Sequence, residues 1–69
     1  MKLSINLNIE IEGNSIEDCL ELAQNECVQI NIRNDYNARV IGAYKEVAAL
    51  EWKELERNEI KNTLGKYVL

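Results

Sequence analysis

Carboxylates are the only abundant reactive side chains in this sequence, and their spacing decides what chemistry they could support. Glu17 and Glu21 stand four residues apart in a stretch of helical composition, and Glu10 and Glu12 stand two apart in an alternating one. Each pair therefore shares a face of its element. Two acids on one face are the equipment of glycoside hydrolysis, provided a deep cleft buries one of them and raises its pKa. Sixty-nine residues offer little material for such a cleft, so these acids read as solvated surface. The oxygen spacing of an EF-hand loop is absent, which leaves no metal site to predict from the same acids.

The other reactive groups narrow the choice further. The chain has no histidine, which removes the commonest general base, the Ser–His and Cys–His nucleophile pairs and the imidazole metal ligands. Cys19 and Cys27 lie eight apart with no second pair, a spacing that fits neither zinc nor iron–sulfur ligation. Gly13, Gly42 and Gly65 are too scattered for a phosphate-binding loop. The sequence predicts no catalytic residue, no metal and no cofactor, and hence a protein that is not an enzyme.

Charge gives a more specific expectation. Residues 1–32 hold one base, Lys2, against six acids, Glu10, Glu12, Glu17, Asp18, Glu21 and Glu26, a net of −5. Residues 33–69 hold seven bases and six acids, a net of +1, and the two halves sum to the −4 of the whole chain. Nucleic-acid affinity rests on clustered Lys and Arg, so the acidic half argues against nucleic acid and anionic membranes as direct ligands. It predicts instead a protein partner with a basic surface, met by those six acids. Acids projecting from a strand and a helix can also imitate a phosphate backbone, which would inhibit a nucleic-acid-handling enzyme by charge complementarity. Two alternatives stand beside this reading: a ligand-sensing module with a pocket near Tyr44 and Trp52, and a structural subunit with no activity of its own.

The elements that must position these residues follow from periodicity. Leu3, Ile5, Leu7, Ile9 and Ile11 alternate without a fault with Ser4, Asn6, Asn8, Glu10 and Glu12, the pattern of a strand with one buried and one wet face. Gly13-Asn14 ends it. Ser15 and Asp18 form a capping-box variant that starts a helix, with Glu17, Asp18 and Glu21 at the positive end of its dipole. Ile16, Cys19, Leu20, Ala23 and Cys27 make the apolar stripe, and the helix is expected to end near Glu26, with continuation through Ile30 as the variant.

Val28, Ile30 and Ile32 alternate with Gln29, Asn31 and Arg33, which predicts a second strand. Its wet face would join Ser4, Asn6, Asn8 and Glu10 as a solvated or amide-rich docking surface. No aromatic lies in either strand, so RNA-type base stacking is not expected. Asn34-Asp35-Tyr36-Asn37 is turn chemistry. Residues 40–44 read as a third strand, with the first turn of a following helix as the alternative. From Lys45 to Asn62 the residues are strong helix formers with no Gly or Pro, Gly65 falls where a left-handed C-cap would sit, and Lys66–Leu69 forms either a short edge strand or a loose end.

The expected fold is therefore a single α+β domain over 1–69, a two-layer sandwich in β-α-β-β-α(-β) order, ferredoxin-like or a truncated variant, with helices on one face of a small sheet. A dimer in which strands pair between chains is the runner-up. On one long helix, Ile60 and Leu64 would lie nearly opposite Leu55. Either the helix breaks near Arg57-Asn58, or Ile60 and Leu64, with Trp52, form a homodimer contact. No apolar run approaches the roughly 18–20 residues of a membrane span. Met1 leads straight into the strand pattern with no secretory segment, so the two thiols are expected to be reduced and the protein cytoplasmic. The opening Ile9–Ser15 is too generic to mark a family.

Overall fold

The computed structural model describes residues 1–65, and within them the order is α1 (Ile16–Asn34), β1 (Tyr44–Ala48), β2 (Glu51–Glu54) and α2 (Arg57–Leu64). The α+β class holds. The finer arrangement differs from the expected sandwich, because the sheet is a single antiparallel hairpin of β1 and β2. The expected C-cap is also different: Gly65 adopts right-handed geometry (φ −61°, ψ −20°) and its N–H donates to the Lys61 carbonyl. Residues 66–69, expected as a short edge strand or a loose end, lie outside the described residues.

Helix α1 begins as its capping residues dictate. Ser15 is extended, and its Oγ accepts from the Asp18 N–H at 3.1 Å. The helix then runs past Glu26 and past Ile30 to Asn34, absorbing the segment 28–32 that alternation assigned to a strand. No Gly or Pro lies between Ser15 and Asn34, and a helix once nucleated gains one hydrogen bond per added residue. Helical spacing also fits the burial better than alternation does: Cys19, Leu20, Glu21, Ala23, Gln24, Cys27, Ile30 and Asn31 are the buried or half-buried positions. The end is set by Asp35, a left-handed C-cap (φ 55°) whose N–H donates to the Asn31 carbonyl.

Beyond the cap, Asn31 holds the next loop. Its Nδ2 donates to the Ala38 carbonyl at 3.0 Å, and its Oδ1 accepts from the Ala38 N–H at 2.6 Å. The side-chain amide thus gives Ala38 the two bonds that a neighbouring strand would give. This folds residues 35–40 back along α1 and brings Val40 to the core.

The expected long helix over 45–62 is instead a hairpin followed by a short helix. Tyr44 faces Glu54, Lys45 faces Lys53 and Glu46 faces Trp52, with one register shift before Ala48 meets Glu51. The Leu55 N–H donates to the Ala43 carbonyl at 2.9 Å, which closes the base of the ladder. The turn requires a left-handed residue, and Leu50 supplies it with φ 64°, at a position where glycine or asparagine is usual. Residues 40–43, expected as strand or helical turn, are irregular, and β1 starts at Tyr44.

The core is small. Leu20 from α1, Leu55 from the base of the hairpin and Leu64 from α2 are buried, with Val40, Ala43 and Ile60 packed against them. Helix α1 packs on α2, and the hairpin joins the helices through its base, while Val47, Leu50 and Trp52 are exposed. The conflict between Leu55 and the Ile60/Leu64 pair disappears because the chain breaks before Arg57. All three then turn to one core.

Candidate functional site: an acidic groove where the N-terminal segment meets the first helix

The N-terminal segment carries the alternation of a strand, yet none of residues 1–13 has regular secondary structure. Leu3, Ile5, Leu7 and Ile9 are 61 to 79% exposed. Pairing explains this outcome. A strand is completed by ladder hydrogen bonds to a neighbour, and the sheet among the described residues holds only β1 and β2.

Where this segment reaches the helix, contact begins. Ile11 is half-buried, and the Cys19 thiol donates to its carbonyl at 3.8 Å, a weak sulfur bond. Gly13 lies so close to the start of α1 that a Cβ there would sit 2.9 Å from the Cys19 Sγ, 3.3 Å from the Cys19 nitrogen and 3.4 Å from the Asp18 Cβ. The absence of a side chain at position 13 is thus what allows the chain to turn tightly against its own helix.

This joint shapes an open groove of about 420 Å³, lined by Glu12, Gly13, Asn14, Asp18, Glu21, Leu22 and Asn25. Three of the six acids singled out in the sequence, Glu12, Asp18 and Glu21, meet there. A smaller groove of about 200 Å³ continues along α1 past Glu21, Gln24, Asn25 and Val28. Of the other three acids, Glu17 lies in the first turn of α1, Glu26 lies further along it and Glu10 lies on the N-terminal segment, all exposed. Asn25 is the residue that sequence reasoning missed. It adjoins both grooves, and one helical turn of spacing from Glu21 was the available signal.

Chemically the groove presents carboxylates and side-chain amides at an open surface. It has neither the enclosure nor the predominantly apolar wall of a small-molecule pocket. Among the described residues no three His, Cys, Asp or Glu side chains are placed to hold a metal ion. Cys19 and Cys27 are both free, half-buried thiols.

The remaining expected site residues are distributed otherwise. Leu64 is in the core and Ile60 packs against it. Trp52 is 50% exposed on the hairpin, on the same face as Tyr44, Glu46 and Glu54, since directly paired residues project to one side. The amide-rich sheet face does not form: Gln29, Asn31 and Arg33 are on a helix, and Asn31 is engaged with Ala38. No helix among the described residues is long and apolar enough to cross a membrane. No protein-family model, no curated protein and no solved structure matches the chain.

Proposed function

We propose that this chain is a non-enzymatic interaction protein of the cytoplasm that docks the acids of residues 10–26 onto the basic surface of a protein partner. Where that partner handles nucleic acid, docking occupies its phosphate-binding surface and inhibits it. The observation that carries the reading is the convergence of Glu12, Asp18 and Glu21 on one open groove. The groove is open and has room for a partner's long cationic side chains. Clustered exposed charge of one sign contributes chiefly by steering and selecting a partner of the opposite sign. The charge asymmetry of the chain, −5 over residues 1–32 against +1 over the rest, orients such an approach.

The test is capture from cell extract on immobilised wild-type chain and on the triple variant Glu17→Lys, Asp18→Lys, Glu21→Lys. The expected result is a partner retained by the wild type, lost from the variant, released by added salt and displaced by duplex DNA. A partner held equally by both chains, with the same salt dependence, overturns the reading.

A further inference from the structure

We propose that the N-terminal segment Lys2–Glu12 is a dimerisation strand, completed by antiparallel pairing with the same segment of a second copy. The sequence of the segment is self-complementary in that direction. With Leu7 at the twofold centre, Ile5 faces Ile9 of the second copy, Leu3 faces Ile11, Asn6 faces Asn8, Ser4 faces Glu10 and Lys2 faces Glu12. Every apolar residue meets an apolar one, every polar residue meets a polar one, and the single cation of residues 1–32 meets a carboxylate. Direct cross-strand pairs of this kind are the units that stabilise a sheet.

Two competing arrangements are worse. Parallel pairing in register stacks Glu10 on Glu10, Glu12 on Glu12 and Lys2 on Lys2, and like charges directly opposed are destabilising. A slip by one residue sends the two apolar rows to opposite faces of the ribbon. The order of side chains along the segment thus suits antiparallel pairing with a second copy.

The surface available agrees with this. The chain exposes 6575 Å², whereas a compact monomer of 8.0 kDa exposes about 4,500 Å² on the size scaling of folded proteins. The excess, about 2,000 Å², is more than twice the roughly 800 Å² that each partner contributes to a standard protein interface. The radius of gyration of 12.9 Å likewise exceeds the about 11 Å of a compact chain of this length. Among the described residues only three side chains are buried within one copy, so the chain has apolar surface left for an interface to cover.

This pairing shares Glu12 with the acidic groove, but its readout is mass and not partner capture, so the failure of one proposal is distinguishable from the failure of the other. Sedimentation of the full chain across a micromolar concentration series is expected to show a reversible species of twice the chain mass. Leu7→Lys places two cations face to face at the centre and removes a central apolar pair. It is expected to weaken the dimer by at least about 100-fold, with an unchanged far-ultraviolet spectrum of the dilute chain. Lys2→Glu and Glu12→Lys are each expected to weaken it several-fold, and the double variant to recover, since the swapped charges again face each other. A chain that stays monomeric throughout, a dimer indifferent to Leu7→Lys, or a double variant weaker than both singles overturns the proposal.

Discussion

Two regions of this molecule have strand character, and they come out in opposite ways. Residues 3–12 alternate faultlessly and remain without a ladder. Residues 44–54 are rich in helix formers and form the hairpin. The difference lies in pairing. The hairpin brings its own second strand within two residues of its first, at the cost of a left-handed leucine, and its base is fixed when the Leu55 N–H bonds to the Ala43 carbonyl. The N-terminal segment is followed at once by Gly13 and a capped helix, so the residues just after it cannot return beside it as a strand. Alternation specifies which face of a strand is apolar, while the ladder itself must come from elsewhere.

The contrast can be broken at the base of the hairpin. Leu55 is one of three buried side chains among the described residues, and Leu55→Ala is expected to lower stability by about 2–4 kcal/mol. That is most of what a chain of this size commands. Urea denaturation followed by circular dichroism measures it, and a loss below the range of ordinary surface substitutions would mean that the core does not hold the hairpin.

A smaller effect of opposite sign is expected at the tip. Leu50 is 93% exposed and gains little from its side chain, while its φ of 64° is costly for any residue with a Cβ. Leu50→Gly is expected to stabilise by about 0.5–1 kcal/mol, the relief of left-handed strain less the greater freedom of glycine in the unfolded chain. A fall in the thermal midpoint would show that the hairpin tip is not strained.

The smallest effect sharpens the other side of the comparison. Leu7→Ser replaces a side chain that is 79% exposed, and in dilute solution it is expected to change stability by less than about 0.5 kcal/mol. Equal denaturation midpoints for wild type and variant check it. A large loss would mean that residues 3–9 are packed within a single copy.

What the sequence made legible follows the same division between local and distant causes. The start of α1 was readable from Ser15 and its neighbours because capping acts over three residues, and the Ser15 Oγ does accept from the Asp18 N–H. The stripe from Leu20 through Ala23 to Cys27 was readable because helical spacing is local too. The second strand failed although Val28, Ile30 and Ile32 alternate: on the helix Ile30 turns inward while Val28 and Ile32 are exposed, and the uninterrupted helix before them decided the outcome.

The hairpin was illegible for a different reason. Ala49-Leu50 carries no Gly, Asn or Pro, so the turn has no local signature, and tertiary closure at Leu55 overrides the propensity of the flanking residues. In the candidate site, the acids were visible from composition and spacing. Their grouping was not, because the groove exists only where Gly13 lets the segment press against Cys19 and Asp18.

That joint has a consequence for how a paired molecule would grip. Gly13 ends each strand hard against its own helix, so the ribbon acts as a spacer between two helix starts. Twelve residue steps separate one Gly13 from the position facing the other, a span of about 40 Å for extended antiparallel chain. Two acidic grooves held at that separation would form a bivalent clamp. The second attachment would then proceed at the effective concentration set by a short link, and a partner with basic patches at matching distance would be retained far longer than one with a single patch.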